Sequence, residues 1–485
     1  MRMSGATAAL VALEDAAPDE LFATLPGSRI PLWPLLRWPL ASALAHTQYE
    51  TEPARKRESA ASKAARFART AMPSDDWSRS LRTRTPVLFA GPGSRNAPSP
   101  AGVVNPLLGP LIEVLEDDAA MVQFEPIPRG RRHAFEPTVS FDDAVVASEL
   151  RARLTPPSAA VMRQSRDVAE AVFARVDHDV EPARRAVALR TFDIRVRRAV
   201  SLAGSYARLL DRVQHRLLVL QAAVYGDRSS FVSAAHERGI AVAEPQHGWV
   251  GASHGAYNFG AAARDPRLRA TLPDTLLTFG RFWSDSVTVP FSTVEIGKPS
   301  LEDEQSRALP LAERPDELLY VSTVADPDEV SRLVLRLRDV VPAGWTIVFR
   351  PHPQERTVVA QRYPDLIGAR GIRLDDEPDP YRSLARSRVI VGSDSTTLYE
   401  ALALRTPTVI RVSKMTPFYM DPEIFTNRIE PGDDPQEAIR RAIESPELDL
   451  PPELLERVWA SGSRDRFRRW ADEELSARPA GVTAP

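Results

Sequence analysis

Cysteine is absent from the 485 residues, which excludes disulfides, thiolate nucleophiles and cysteine-ligated metals. Lysine is almost absent too. It occurs only at Lys56, Lys63, Lys298 and Lys414, so arginine carries nearly all the positive charge. The eight histidines show no HExxH spacing or other metal-ligand pattern, so no metal cofactor is expected. No stretch reaches the roughly 18 unbroken apolar residues of a membrane span. The opening MRMSGATAALVALEDAAPDE meets acidic residues too early for a secretory signal, and a cytoplasmic location is expected. A net charge of −3 gives no global basic field, so nucleic acid is not an expected partner.

What is present is ordinary globular material, 43% hydrophobic and 26% charged. The length fits two domains with additional helices. Short apolar runs bounded by Gly, Pro or polar residues read as buried parallel strands: PVLFAG (86–91), AAMVQFEP (119–126), RLLVLQAAV (216–224), IAVAEP (240–245), TLLTFG (275–280) and STVEIG (292–297). After the Pro- and acid-rich segment 299–317 a second series follows: LLYVST (318–323), TIVFR (346–350), RVIVGS (388–393) and PTVIRV (407–412). Two strand–helix alternations divided by a linker predict two doubly wound α/β domains. The expected division is a helical extension over 1–80, domains over 81–300 and 301–450, and a helical tail over 451–485. In the extension, Trp33 and Trp38 precede the basic ARKRESAASKAARFAR. That combination fits either an anionic membrane face or a helical cap on the first domain, and the cap is preferred because the tryptophans suit a core.

Four segments stand where a strand ends and a loop begins, the place where ligands collect in open α/β sheets. Gln246-His247-Gly248-Trp249 follows IAVAEP, with His254 seven residues beyond His247; a lone histidine is more often structural than catalytic. Arg350-Pro351-His352-Pro353 ends TIVFR, and two prolines fix the backbone around His352. Gly392-Ser393-Asp394-Ser395-Thr396-Thr397 leads into a helix whose N-terminal N–H groups suit an anion. There Thr397 and Glu400 also match a capping box, and Glu400 has the alternative of holding ribose hydroxyls. Gly91-Pro92-Gly93-Ser94-Arg95 is either a plain turn or a loop that lets an acceptor or phosphate come close. Asp227, after the run ending at Val224, is a candidate base or an N-cap.

Together AAHERGIAVAEPQHGWVGASHGAY (234–257), VFRPHPQE (348–355) and DPYRSLARSRVIVGSDSTTLYEALALRTPTVI (379–410) resemble GT-B glycosyltransferases of surface polysaccharide assembly. The likeness is to the superfamily of capsule-polymer transferases, bacterial polysialyltransferases and CDP-glycerol glycerophosphotransferases. SRIPLWPLLRWPL (28–40) is similar to an opening segment of related surface-carbohydrate proteins. The resemblance implies a GT-B type α/β fold, two Rossmann-like domains facing a central cleft. It implies metal-independent, inverting transfer from a CMP-, CDP- or UDP-linked donor to a glycan or lipid-linked glycan acceptor, with a peripheral membrane contact as a further expectation. On that footing His352, Arg350, Ser393, Asp394, Ser395, Thr396, Thr397 and Glu400 serve the donor, His247 is the first candidate for the base and Asp227 the second, and Gln246, Gly248, Ser94 and Arg95 border the acceptor. A nucleotide-sugar 2-epimerase of the same architecture and a non-catalytic assembly scaffold are the alternatives.

Overall fold

The computed structural model describes residues 2–45, 85–93, 96–99, 101–124, 133–135, 137–212, 215–323, 326–444 and 451–478. The apolar runs form strands at the expected places. β1 (Val87–Gly91) is followed by a short hairpin, β2 (Ala97–Ser99) and β3 (Gly102–Val104), then β4 (Ala119–Gln123), β5 (Thr138–Ser140), β6 (Leu217–Leu220), β7 (Ala241–Pro245), β8 (Thr275–Thr278) and β9 (Ser292–Glu295). Outside the hairpin these form one parallel seven-stranded sheet in the order β5-β4-β1-β6-β7-β8-β9. A second parallel sheet has the order β12-β11-β10-β13-β14-β15. Its strands are β10 (Glu317–Val321), β11 (Thr346–Arg350), β12 (Ile372–Leu374), β13 (Val389–Gly392), β14 (Thr408–Arg411) and β15 (Arg428–Ile429). Every residue of β1, β4, β7 and β10 is buried, as strands covered by helices on both faces require. The two-domain, doubly wound architecture expected from the sequence is therefore present.

The strand orders locate the crevices. In the first sheet the winding reverses between β1 and β6; in the second it reverses between β10 and β13. Ligands in such sheets bind outside the carboxyl ends of the strands at these reversals. The Gly91–Gly93 loop leaves β1 at the first, and the Ser393–Thr397 loop leaves β13 at the second. His247 follows β7 and His352 follows β11, each one strand away from a reversal.

The described part of the N-terminal extension, residues 2–45, is a cap. Helices α1 (Gly5–Ala16) and α2 (Trp33–Leu44) pack against the first domain. Glu14 is fully buried and accepts from Trp33 Nε1 at 2.9 Å, from Arg37 Nε at 2.7 Å and from the Gly260 N–H at 2.9 Å. Arg37 in turn donates to the carbonyls of Gly255 and Asn258. A buried ion pair is tolerated only when its remaining hydrogen-bonding capacity is filled, and here it is filled by the domain being capped. Trp33 is thus committed to the interior; the basic stretch after Trp38 lies outside the described residues. Helices α3 (Asp142–Leu154) and α4 (Pro182–Arg212) flank the same domain. No described helix is long and apolar enough to cross a membrane.

The segment that divides the two strand series is in part helical. Pro299–Arg307 is a helix, started by Pro at its first position and fastened at several points. Glu302 accepts from the N–H and Oγ of Ser463, Asp303 pairs with Arg464 at 2.9 Å, and Gln305 donates to the Ala403 carbonyl at 2.9 Å. Its acidic residues Glu302 and Asp303 are the fasteners. The tail returns to the first domain: in the helix Ser463–Ala477, Phe467 and Trp470 enter the core beneath β1, β4 and β6.

Candidate functional site

His247 sits in a chain of titratable groups that begins inside the first sheet. Glu244, on β7, is completely buried. Its carboxylate accepts from the Tyr257 hydroxyl at 2.5 Å and from the Val224 N–H at 2.9 Å. The Tyr257 hydroxyl lies 3.4 Å from His247 Nδ1, which is 3.8 Å from the Glu244 carboxylate. On the other side of the ring, His247 Nε2 is 3.4 Å from the Tyr225 hydroxyl, and that hydroxyl is 3.3 Å from His254 Nε2. The sequence Glu244–Tyr257–His247–Tyr225–His254 is continuous. Burial pushes the Glu244 carboxyl up to about 7, against the opposing pull of Tyr257 and of the backbone N–H groups of Val224 and Ala223. Burial, helped by the Arg37 charge, pushes His254 down to about 4. A carboxyl near 7 touching a histidine network is an arrangement suited to moving a proton at neutral pH.

The two lobes meet beside this chain. The Trp249 ring lies 4.3 Å from the Tyr419 ring, centroid to centroid, and its Nε1 donates to the Tyr419 carbonyl at 3.2 Å. His254 is stacked between Trp38 of the cap and Trp249. A cavity of about 330 Å³ opens here, walled on one side by the cap helices α1 and α2, through Leu10, Trp38 and Ala41 among others, and on the other by Trp249, His254, Gln354 and Tyr419; neither His247 nor His352 lines it. The loop carrying His247 and the loop carrying His352 therefore border one shared space, each through the residue two positions after its histidine.

His352 is held by more than its prolines. Its N–H donates to Glu355 Oε2 at 3.0 Å, and its Nδ1 accepts from the Gln354 N–H at 3.3 Å. Glu355 is itself buried and fixed by Ser322, Tyr363 and Arg362. Burial holds His352 below the ordinary histidine range, which favours the neutral ring. Arg350 is spent on structure: buried, it donates to Asp375 at 2.6 Å, to Ser383 Oγ at 3.1 Å and to the Glu377 carbonyl at 3.0 Å. These bonds occupy Arg350 in the framework that holds the loop after β11.

The Ser/Thr loop starts the helix Thr396–Ala403, and its cap is Ser395, whose Oγ accepts from the Thr397 N–H at 3.2 Å. The Thr397/Glu400 capping box is not formed. Glu400 instead receives Lys298 from the first domain and the Tyr381 hydroxyl at 3.1 Å. Lys298 also lies 5.0 Å from the Phe279 ring centre and 5.8 Å from that of Trp459. Burial opposes its charge, yet the Glu400 carboxylate prevails and holds it above the usual lysine range. Asp394 accepts from Ser413 Oγ at 2.7 Å and Thr416 Oγ1 at 3.1 Å, with burial raising its carboxyl. Ser393 is buried and within 3.5 Å of Arg411. What this loop offers an anion is the helix start with the Ser395, Thr396 and Thr397 side chains, all partly exposed.

On the acceptor side the expectations fare unevenly. Gln246 is a framework residue, fully buried, donating to the Gly248 carbonyl and accepting from the Phe279 N–H. A Cβ at Gly248 would enter open space, so the fold does not demand glycine there. Asp227 is 42% exposed and pairs with Arg228 at 3.3 Å. Its charge is felt by Arg195 and Tyr206 of α4, and the helix it precedes starts without a side-chain cap. Ser94 and Arg95 lie outside the described residues. Beside them, Gly93 packs on Gln123, where a Cβ would come within 2.2 Å of the side chain.

Sequence reasoning missed Glu244, Tyr257, Tyr225 and Glu355. One signal was available: Glu244 is the single charged residue in the apolar run IAVAEP, and a carboxylate inside a buried strand demands a partner. Tyr225 and Tyr257 had no spacing to betray them.

No family profile and no curated protein matches the chain. Solved structures that resemble it include a UDP-GlcNAc 2-epimerase from Neisseria meningitidis bound to UDP-GlcNAc, 12% identical over 81% of this chain and 100% of that one, TM-score 0.44. A putative UDP-N-acetylglucosamine 2-epimerase from Listeria monocytogenes is 11% identical over 83% and 99%, TM-score 0.46. The glycotransferase of kitacinnamycin is 14% identical over 80% and 98%, TM-score 0.43. At these identities and scores the similarity carries no argument about activity, and the architecture rests on its own strand order.

Proposed function

We propose that the protein is a glycosyltransferase of GT-B type. It moves a sugar or polyol-phosphate unit from a nucleotide-activated donor to a glycan or lipid-linked glycan acceptor of the surface-polysaccharide or teichoic-acid kind. The observation that carries the reading is the pairing of two strand-end features: the Glu244–Tyr257–His247 chain after β7 of the first sheet, and the Ser395–Thr397 helix start after β13 at the reversal of the second.

In this reading the acceptor hydroxyl attacks the donor, a new bond forms to the acceptor oxygen, and the bond to the nucleotide phosphate breaks with its electron pair leaving on the phosphate. His247 takes the hydroxyl proton, with Glu244 behind it to balance the imidazolium charge. The helix start at Ser395–Thr397 and the His352 ring stabilise the departing phosphate. Nucleotide-sugar use places the reaction in the cytoplasm.

A thermal-shift screen against CMP, CDP, UDP and GDP reads the donor base directly. His247→Ala and His352→Ala are expected to lower transfer about a hundredfold or more each while far-UV circular dichroism stays unchanged. Full turnover in either variant removes that residue from the mechanism. Incubation with nucleotide sugar and no acceptor tests the rival chemistry, since an epimerised sugar would identify a 2-epimerase.

A further inference from the structure

A tyrosine hydroxyl stands on each side of the His247 ring, and the far end of each contact fixes its direction. On the Nε2 side the fixed point is a backbone N–H. The Ala256 N–H donates to His254 Nδ1 at 3.2 Å, and a backbone N–H can only donate. His254, pushed down to about 4 by burial and the Arg37 charge, is neutral at pH 7 and above. Its single ring hydrogen is therefore on Nε2, facing the Tyr225 oxygen at 3.3 Å. The Tyr225 oxygen accepts on that side, and its own hydrogen can serve His247 Nε2 at 3.4 Å. On the Nδ1 side the fixed point is a carboxylate. The Tyr257 hydroxyl donates its one hydrogen to Glu244 Oε1 at 2.5 Å. Toward His247 Nδ1, 3.4 Å away, the Tyr257 oxygen can then only accept. The carboxylate itself lies 3.8 Å from the same nitrogen. The two sides agree: acceptors face Nδ1 and a donor faces Nε2.

We propose that Tyr257 and Tyr225 are positioning residues that hold His247 in the tautomer with its hydrogen on Nδ1. Free histidine prefers the other tautomer, so the fold has to impose this one through the bonds the ring makes. The inference rests on the reading of His247 as the base and says how that base is kept ready. As the acceptor oxygen bonds to the transferred unit, its O–H bond breaks and the proton passes to the lone pair on Nε2. The imidazolium that results keeps its Nδ1–H toward the Tyr257 oxygen and Glu244, which balance its charge. In the opposite tautomer Nε2 would already carry a hydrogen and could take none. Nδ1 would then meet the Tyr257 oxygen lone pair to lone pair. The cap takes part in this. The His254 ring, from which the order on the Nε2 side starts, lies nearly parallel to Trp38 of α2 at 5.7 Å and to Trp249 at 5.8 Å.

The test is nitrogen NMR of the full chain, isotope-labelled only at its eight histidines, at pH 8, where Glu244 is ionised. A long-range proton–nitrogen correlation spectrum tells a protonated ring nitrogen from a bare one, and the His247 signals are those lost in His247→Ala. A protonated Nδ1 and a bare Nε2 are expected. Glu244→Gln should reverse them. Its amide donates to the Tyr257 oxygen, the Tyr257 hydrogen turns toward Nδ1, and the ring hydrogen moves to Nε2. Tyr225→Phe should give a mixture of tautomers with unchanged circular dichroism. Its kcat should fall in proportion to the fraction of bare Nε2 that the spectrum reads, with KM held. A parent chain with its hydrogen on Nε2 overturns the proposal, and so does a parent-like spectrum in either variant. The spectra need no substrate, so the two readings fail separately. A protonated Nε2 beside lost turnover in His247→Ala would sink the positioning role alone. A protonated Nδ1 beside full turnover in His247→Ala would sink the base, and the positioning role with it.

Discussion

Replacing Glu244 by glutamine should make the protein more stable at pH 8, although the variant removes a carboxylate with two hydrogen-bond donors. The reason is its titration. The carboxyl has an ordinary value of 4.5 and is raised to about 7 in the folded chain, chiefly by burial. Below pH 4.5 both the folded and unfolded states hold the proton. As pH rises, the unfolded state releases it first, so stability falls through this interval and is fully reduced above pH 7. At about 1.4 kcal/mol per unit, the whole loss is about 3 kcal/mol. Glutamine imitates the protonated acid: its oxygen can keep the Val224 N–H, while its amide donates to the Tyr257 hydroxyl, which turns to accept. The variant should therefore match the parent near pH 4.5 and exceed it by up to about 3 kcal/mol at pH 8. Urea unfolding followed by tryptophan fluorescence, at pH 5, 6, 7 and 8 for both proteins, gives the difference curve. A flat curve, or one in which the parent gains on the variant as pH rises, refutes the account of Glu244 as a buried, proton-holding carboxyl. Activity should move the opposite way: the variant cannot offset the charge on His247, so its rate should fall where its stability rises.

Two further outcomes are expected. Arg350→Met should cost about 3–5 kcal/mol in unfolding free energy, because Asp375 is left buried without its partner; a loss below about 1 kcal/mol, measured by denaturant titration, would return Arg350 to the list of groups available to a ligand. Gly226→Ala should loosen the N-terminal cap, since Gly226 has φ +78° and an added Cβ would lie 1.9 Å from the Pro34 carbonyl oxygen; limited proteolysis should cut the variant within the first 45 residues sooner than the parent.

How far the sequence could be read depends on what kind of signal each element carries. Ten strands were visible as short apolar runs; in all but the edge strand β9, which has no buried residue, the run reflects burial on both faces, and VLFAG or TIVFR can be little else. β5, β12 and β15 were not visible: they hold three residues or fewer at or near sheet edges, where no run can develop. The loops after β7, β11 and β13 were legible for the same reason as their strands, since a glycine, proline or hydroxyl cluster ending an apolar run marks a strand end. What those loops contact was not legible. The partnership of Glu400 with Lys298 spans 102 positions, and local pattern offered a capping box in its place. Arg350 likewise finds Asp375 and Ser383 on other elements. The acid-rich segment at 299–317 read only as a linker because no partner for its acids stands nearby in the sequence; Ser463 and Arg464 supply the partners from 161 positions away.

The return of the C-terminal helices to the first domain has a mechanical consequence. The polypeptide passes between the lobes twice, once near Lys298 and once near Trp459, and these two residues touch. Both crossings therefore lie along one seam, which also carries buried core: Trp283 of the first lobe packs on Tyr399 of the second, and Trp459 donates to the Tyr399 carbonyl at 2.9 Å. A substitution at Lys298 would thus disturb both crossings at once, since its ammonium group lies among Phe279, Tyr381 and Trp459.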